Sequence, residues 1–415
     1  MSIAALSDSI PGQADGSDRR VLATRRILII VENLPVPFDR RVWQEARALR
    51  DAGAEVSIIC PKGKGYEKAE ETLEGIHVYR HNLPLEGKGA MGFLIEYTAA
   101  LLHETRLAWK IFSKHGFDII HACNPPDLIF LVALPFKVLG KRFIFDHHDI
   151  GPELYDAKFG KGGALRWLMC ALEWLTFKCA DVVISTNDSY RQIAITRGGK
   201  RTEDIFVVRS GPDLTRIHTL PPDGALKNGR DFLVAYVGVM GEQEGIDLLL
   251  ESARQLVYLR NRHDIQFVLV GGGPMLPRLQ AASSRMKLDD YVTFTGRVPD
   301  NSLFTVLSTA DVCVNPDRVN AMNDKSTMNK ILEYMAFGKP IVQFDVTEGR
   351  FSAGAASVYA RPNDPTDFAD KIEAVLADAG LRASMGAFGR DRIQQELAWN
   401  WQVPNLIAAY VRAGG

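Results

Sequence analysis

The chain alternates between short, continuous apolar runs and longer amphipathic stretches. Residues 27–31 are apolar at every position, as in a strand that is buried on both faces of a parallel sheet. A helix is predicted to begin at Asp39, whose side chain suits an N-cap, and an apolar stripe then runs through residues 42–49. The next apolar run, residues 56–60, completes a predicted strand–helix–strand unit.

The same alternation continues along the chain. Further strands are predicted in two groups, first at residues 118–121, 143–145 and 181–185, and then at residues 232–237, 265–270, 291–294, 312–314 and 340–342. Between the groups the chain is rich in Pro, Gly, Asp and Asn, as expected of a linker. The pattern predicts an α/β protein of two doubly wound, Rossmann-like domains that face each other across a cleft.

The composition shifts also predict the domain boundaries. We expect a flexible tail at residues 1–24, an N-terminal domain at 25–210, a linker at 211–230 and a C-terminal domain at 231–390. A last helix within residues 391–415 is expected to pack back on the N-terminal domain.

Composition narrows the class of protein. Lys and Arg (49) balance Asp and Glu (50), so the basic excess of a nucleic-acid-binding protein is missing. The five cysteines are scattered without metal-ligand spacing, which indicates free thiols in a reducing compartment. No apolar run is long enough for a signal peptide or a membrane span. We expect a cytoplasmic protein that can also make peripheral contact with the inner face of the membrane.

The segment 323–340 carries the most informative chemistry. Its polar start, apolar stripe and terminal Gly-Lys-Pro predict a helix whose first-turn amides and positive dipole end can meet an anion. Lys325 and Lys330 would add charge, and the hydroxyls of Ser326 and Thr327 would donate to phosphate oxygens. Glu333 could accept from ribose hydroxyls. The alternative is a capped surface helix with a Lys330–Glu333 pair.

Three motifs carry a resemblance to a known family. They are the run Leu-Glu-Tyr-Met-Ala-Phe-Gly-Lys-Pro-Ile-Val at 332–342, the Gly-Gly-Gly-Pro turn at 271–274, and Val-Thr-Phe-Thr-Gly-Arg-Val at 292–298. Over residues 25–400 the chain resembles the retaining glycosyltransferases of family 4, which have the GT-B fold. The resemblance implies transfer of a sugar from a nucleotide diphosphate sugar to a hydroxyl of a saccharide or lipid-linked acceptor. It also implies an acceptor-side N-terminal domain and no metal cofactor, consistent with the missing Asp-x-Asp triplet.

The resemblance assigns donor contacts, with one departure. In the family, two glutamates separated by seven residues bind the donor. The second matches Glu333, which would hold the ribose, but the first position is Lys325 here. Lys cannot accept from sugar hydroxyls, so the contacts to the donor sugar must differ. The base-contact position falls on Val298, with Asp300 close by.

A second departure lies in the loop at residues 236–247. Family members carry an Arg and a Lys there against the donor pyrophosphate, whereas this chain has Val239 and Glu244. Backbone around Gly241 and Gln243 is still expected to contact the donor. The compensating positive charge would come from Lys325, Lys330, Arg40 and Arg41. The alternative is a binding subunit that has lost activity.

Two N-terminal segments complete the expected site. A strand-end histidine approaches the donor sugar in the family, and we assign this catalytic role to His148, with His147 as the alternative. Arg40 and Arg41 are expected to bind donor phosphate or an anionic acceptor, unless one of them pairs with Asp39 or Glu45.

The stretch 155–179 is both aromatic and basic. Its apolar residues nearly encircle a helix, so we expect most of it to be buried, with only residues 158–166 close enough to the surface to touch a membrane. Two further enzyme classes share the fold and stay open at this point: a sugar-nucleotide epimerase and a glycosyl phosphorylase.

Overall fold

The structure, a computed structural model, describes residues 21–82, 89–160 and 162–414, with the side chains of residues 89–97, 158 and 159 left out. Most of the expected flexible tail therefore lies outside the described residues. Its predicted end at residue 24 needs correction, because Leu22 is buried in the core and its amide donates to the carbonyl of Ala52.

The N-terminal domain is built on an eight-stranded sheet. Its strands are β1 Arg26–Ile30, β2 Glu55–Pro61, β3 Glu70–Leu73, β4 Ile76–His81, β5 Ile119–Cys123, β6 Arg142–His147, β7 Val182–Ser185 and β8 Ile205–Val207. The order is β3-β4-β2-β1-β5-β6-β7-β8, and only β3 is antiparallel. The fully apolar strands lie centrally because both of their faces are covered by helices. The order reverses between β1 and β5, where such sheets bind ligands.

Helices cover both faces of this sheet. They are α1 Arg40–Asp51, α2 Gly89–Lys114, α3 Phe130–Val138, α4 Gly151–Phe159, α5 Ala164–Cys179 and α6 Asp188–Thr196. The helix expected at Asp39 forms there, because the Asp39 carboxylate accepts from the amide of Val42.

The C-terminal domain has a six-stranded parallel sheet. Its strands are β9 Phe232–Val237, β10 Ile265–Val270, β11 Val292–Gly296, β12 Val312–Asn315, β13 Ile341–Phe344 and β14 Ser357–Ala360. The order β11-β10-β9-β12-β13-β14 is that of dinucleotide-binding domains, with its reversal between β9 and β12. The helices are α7 Ile246–Arg254, α8 Leu276–Arg285, α9 Asp300–Thr309, α10 Asn329–Ala336, α11 Thr347–Ala353, α12 Pro365–Ala377 and α13 Ala379–Arg392.

The chain returns to the N-terminal domain through helix α14, Trp399–Gly414. Leu406, Ala409 and Tyr410 are buried in the same core cluster as the first strand. The linker passes beside this return, since a Cβ on Gly211 would lie 2.3 Å from the carbonyl oxygen of Leu397. The two crossings of the chain between the domains are thus side by side.

The expected burial of residues 155–179 is wrong. Helix α5 buries only Glu173, Thr176 and Phe177 fully, and its outer face is apolar and exposed, with Trp167 at 73%. Its buried edge packs against the sheet and the neighbouring helices α3 and α4, and Arg166 pairs with Asp156 of α4. Within the described part of the chain, no helix is both long and apolar enough to span a bilayer.

Candidate active site

A cavity of about 350 Å³ lies at the carboxyl ends of β9 and β12, the reversal point of the C-terminal sheet. It is bounded by the loop after β9, the segment after β12 and the start of α10. The predicted residues Gln243, Ser326, Thr327, Lys330 and Glu333 all line it. A second cavity, between the domains, shares Asn329 and Glu333 with the first, so the two are adjacent.

The start of helix α10 differs from the sequence prediction. The helix begins at Asn329, with Met328 as an N-cap that has no side-chain hydrogen bond. Two residues of N-cap type that precede the helix are engaged elsewhere: Asp324 accepts from the amide of Thr347, and Ser326 donates to the carbonyl of Met322. No side chain therefore caps the amides at this helix end, and they face the cavity beside Lys330.

Lys330 supplies a permanent positive charge in this cavity. Its Nζ lies 2.7 Å from the buried carboxylate of Asp317 and 4.9 Å from the centre of the Tyr236 ring. Burial opposes the charged form, but Asp317 outweighs it and raises the pKa of Lys330. The alternative of a surface Lys330–Glu333 pair is wrong, because Lys330 pairs with Asp317.

Glu333 projects into the gap between the domains. Its carboxylate lies 3.5 Å from Nη1 of Arg40, while Nη2 of Arg40 lies 2.8 Å from Asp300. Burial raises the pKa of Glu333, and Arg40 opposes this. Asp300 is also paired with Arg216, which places this predicted base contact among arginines. Glu333 and Arg40, predicted on opposite domains, therefore meet.

The loop after β9 brings a carboxyl group into the cavity. Val239 is exposed and Glu244 is half-buried beside Gly241, where burial and then Asp317 raise the pKa of Glu244. The Gln243 carbonyl accepts from Asn323 and from the amide of Arg318, which fixes the loop.

Four of the predicted donor contacts do not line this cavity, namely Gly241, Val298, Asp300 and Lys325. Gly241 lines a neighbouring cavity together with Glu242 and Arg278. Val298 packs against the hydrophobic core, and the adjacent Arg297 guanidinium lies 4.2 Å from the centre of the Phe38 ring. A base contact by the Val298 side chain is therefore not supported by its position.

The N-terminal domain contacts residues 323–333, here called the donor segment. Asn187 donates to the carbonyl of Lys325, at 2.8 Å, and to the hydroxyl of Thr327, at 3.0 Å. Lys325 Nζ lies 3.2 Å from Glu153 and lines a separate pocket. The prediction that Lys325 lends its charge to the donor is therefore not supported by its position, because Lys325 does not line the cavity at the start of α10.

The structure distinguishes the two neighbouring histidines. His147 is fully buried among Phe145, Phe177 and Tyr190, whereas the side chain of His148 is 14% exposed. Alternation along the strand end sends the two rings to opposite sides. His148 is thus the histidine that can reach a ligand.

Arg41 does not have the predicted role. Its guanidinium is buried and contacts Asp146 at 3.1 Å and Glu45 at 3.0 Å. The structure therefore favours the alternative of a pair with Glu45, and Arg41 is no free cation for phosphate.

Two groups of potential metal ligands occur among the described residues: His121, Cys123 and Asp146, and Glu45, Asp146 and His148. The Arg41 guanidinium lies between the carboxylates of the second group, and burial raises the pKa of the Cys123 thiol well above its ordinary value. Neither donor set suits a cation in this state.

Sequence reasoning missed Asp317, Tyr236, Glu153 and Asn187 as parts of the site. Asp317 had a usable signal, since it follows β12 at the carboxyl end of the strand, where such sheets collect ligand contacts. The other three act through partners that are distant in sequence, and no local spacing reveals them.

Comparison with known proteins agrees with this architecture. A profile described as Glycosyltransferase Family 4 matches residues 39–216, and one described as Glycosyl transferases group 1 matches residues 231–378. A GDP-mannose-dependent phosphatidylinositol monomannoside mannosyltransferase of Mycolicibacterium smegmatis is 30% identical over 87% of this chain and 90% of its own length. An alpha-D-kanosaminyltransferase of Streptomyces kanamyceticus is 30% identical, but the match spans only 37% of this chain and 38% of that relative.

Solved structures share the fold at low sequence identity. The Anabaena protein HepE in complex with UDP-glucose superposes with a TM-score of 0.70 at 16% identity, over 93% of this chain and 99% of that one. The predicted GT-B fold is confirmed.

Proposed function

The chain belongs to glycosyltransferase family 4, and from that membership we propose that it transfers the sugar of a nucleoside diphosphate sugar to a hydroxyl of a saccharide or lipid-linked acceptor. The observation that carries this proposal is the cavity at the start of α10, which is lined by uncapped helix amides, by charged Lys330 and by Glu333 of the same helix. Relatives named for nucleotide-sugar substrates add support.

The diphosphate of the donor is the group that this cavity suits. Helix amides and a lysine with a raised pKa are already oriented, so they bind the charge that develops on the leaving diphosphate without reorganising. Glu333 accepts from the ribose hydroxyls, and Arg40 moves from Glu333 towards the donor when the ribose takes its place. The proposed reaction needs no metal ion, because these groups stabilise the leaving charge.

Glu244 modifies this arrangement. A carboxyl group with a raised pKa can be protonated near a diphosphate and then donates a hydrogen bond instead of repelling the anion.

Retention of the anomeric configuration is proposed from family membership. The catalytic role that we propose for His148, which follows β6, is to accept a hydrogen bond from a donor-sugar hydroxyl, and its partly exposed ring supports this. Proton NMR of the isolated product reads the configuration directly, and an inverted anomeric coupling relative to the donor would contradict retention.

The acceptor is proposed to be handled at the cytoplasmic face of a membrane. Helices α3 and α5 both pack on one face of the N-terminal sheet and expose apolar side chains, namely Leu131, Leu134, Val138, Leu165, Trp167, Leu168, Trp174 and Leu175. Lys178 stands on the same face, 5.7 Å from the centre of the Trp174 ring. Tryptophan beside lysine is typical of an interfacial surface.

A donor screen tests the proposal. Purified protein is incubated with UDP- and GDP-sugars, with and without acceptor preparations, and released nucleoside diphosphate is measured. Acceptor-dependent release is the expected result. Formation of an epimer without acceptor would identify an epimerase, dependence on inorganic phosphate would identify a phosphorylase, and failure to bind any nucleoside diphosphate would contradict the donor site.

A further inference from the structure

Beneath His148 lies a buried chain of polar side chains from three elements. Tyr410 of α14 donates to Nδ1 of His121 at 2.6 Å, and Nε2 of His121 lies 3.2 Å from Oδ2 of Asp146. Nε2 of His148 lies 2.5 Å from the same oxygen. Tyr410, His121 and Asp146 are each fully buried, so the chain runs through the core and ends at the partly exposed ring.

The protonation states in this chain follow from its surroundings. Burial opposes ionisation of Asp146, but Arg41 and His148 outweigh it and hold its pKa well below the ordinary value. Burial lowers the pKa of His121, which is therefore neutral. The ionised Asp146 then accepts from Nε2 of both histidines, and Tyr410 fixes the tautomer of His121 by donating to Nδ1.

The tautomer of His148 follows from the same carboxylate. Nε2 of His148 also lies 2.8 Å from Nε of Arg41, but a nitrogen that donates to Asp146 cannot accept from Arg41. The ionised carboxylate decides in favour of donation, because an unprotonated Nε2 would otherwise set its lone pair 2.5 Å from a carboxylate oxygen. Nδ1 of His148 is then the acceptor of the ring, and it has no hydrogen-bond partner among the described residues.

Several buried groups meet here at a cost that packing alone does not explain. Arg41 and Glu45 of α1, His121 and Cys123 of β5, Asp146 of β6 and Tyr410 of α14 all lie within one apolar core. Apolar residues of similar volume would serve stability at least as well. The arrangement has one specific result, because it fixes the ring of His148 at the cleft.

We propose that Tyr410, His121 and Asp146 are positioning residues that fix the ring and tautomer of His148 for sugar transfer. Because α14 is the helix that returns from the C-terminal domain, this chain makes the geometry of His148 depend on the seating of α14. The inference rests on the proposed function, since it assigns the purpose of the His148 geometry. None of the three residues lines the cavity at the start of α10.

The test is a double-mutant cycle with a matched control. Tyr410→Phe removes one hydroxyl and is expected to lower kcat about five- to tenfold, with the donor KM unchanged. In a His148→Ala background the same change is expected to have no further effect on kcat. Tyr359→Phe is the control, because it removes a half-buried hydroxyl that donates to Gly354 in the C-terminal domain. Equal losses from Tyr410→Phe in both backgrounds would overturn the proposal.

A second measurement does not depend on turnover. Nitrogen-15 NMR of the imidazole rings is expected to show His148 protonated at Nε2, with a shift in Tyr410→Phe and none in Tyr359→Phe. A His148 spectrum that Tyr410→Phe leaves unchanged would overturn the positioning chain even if the protein is a transferase. Absence of transferase activity in the wild type, with the NMR response present, would refute the proposed function and leave the chain standing.

Discussion

Lys325 and Lys330 of the donor segment have different roles, because their carboxylate partners belong to different domains. Lys330 pairs with Asp317 inside its own domain and keeps its charge beside the α10 amides. Lys325, five residues earlier in the chain, is tied to Glu153 of the other domain. Glu333 lies between cavity and cleft with a single long contact to Arg40, so it remains available to a ligand.

Replacement of Glu333 by Gln should weaken nucleoside diphosphate binding by about tenfold or more, because hydrogen bonds to a charged acceptor contribute about 1.5–3 kcal/mol. Folding should be unaffected, since burial already raises the pKa of this carboxyl group. Isothermal titration calorimetry measures the affinity. Glu251→Gln, which alters an exposed pair with Arg254, is the control, and equal affinity of the Glu333 variant and the wild type would disprove the ribose contact.

Asp127 should make stability depend on pH. Burial raises its pKa to about 7, while Asn124 donates to its Oδ1. The folded state thus holds a proton that the unfolded chain loses near pH 4, so this contribution to the unfolding free energy falls as pH rises from about 4 to 7. Asp127→Asn should be more stable than the wild type by roughly 4 kcal/mol at pH 8 and similar to it at pH 4. Urea unfolding at both pH values checks this, and a constant difference would contradict it.

Helix α10 contributes its N-terminal end to the site, whereas helices α3 and α5 contribute an exposed outer face. At α10 the missing side-chain cap leaves the first amides to the cavity. On α3 and α5 the outer face carries Val138 at 82% exposure and Trp167 at 73%, and such a patch normally marks a contact surface.

Trp167→Ser and Val138→Ser should each reduce binding to vesicles of phosphatidylglycerol and phosphatidylcholine by about tenfold, since burying one such side chain contributes about 1.5–3 kcal/mol. Leu259→Ser, an exposed residue of the C-terminal domain, should have no effect. Vesicle flotation measures the bound fraction. Binding that all three variants retain would exclude this face as a membrane surface.

Across the whole molecule, charged contacts join the two domains around the donor segment. Lys325 meets Glu153, Arg40 meets Glu333, and Arg209 meets Glu348, which also accepts from Ser189. A donor held by both domains should therefore be sensitive to these contacts.

Lys325→Met and Glu153→Gln should each weaken nucleoside diphosphate binding about three- to fivefold, and the double variant should be no worse than either single one. The same cycle on the exposed pair Arg350–Asp345 is the control, with no change in affinity. Calorimetry supplies all the values. Additive losses from the Lys325 and Glu153 changes would show that the two residues do not act as a pair.

The sequence predicts the parallel core well because buried strands are apolar on both faces, and the GT-B architecture of family 4 is confirmed. It does not predict β4, β8 and β14, nor the edge strand β3, Glu70–Leu73, whose residues are mostly polar and pair with β4. The exposed face of α5 was not predicted, because the residue pattern of an apolar helix is the same whether or not other parts of the chain cover it. Lys325 and Arg41 were misassigned because the carboxylates that pair with them, Glu153 and Asp146, come from other elements of the fold.

The binding of a diphosphate at the start of α10 is tested most directly by calorimetric titration with UDP and GDP. We compare the wild type with Lys330→Gln and with Lys339→Gln, whose lysine lies beyond the far end of α10 and donates to the carbonyls of Ser308 and Ala310. Thermal unfolding confirms that each variant is folded. The wild type should bind at least one of the two nucleotides, with the affinity reduced tenfold or more in Lys330→Gln and unchanged in Lys339→Gln. No binding by the folded wild type, or equal binding by both variants, would contradict a diphosphate site at this helix.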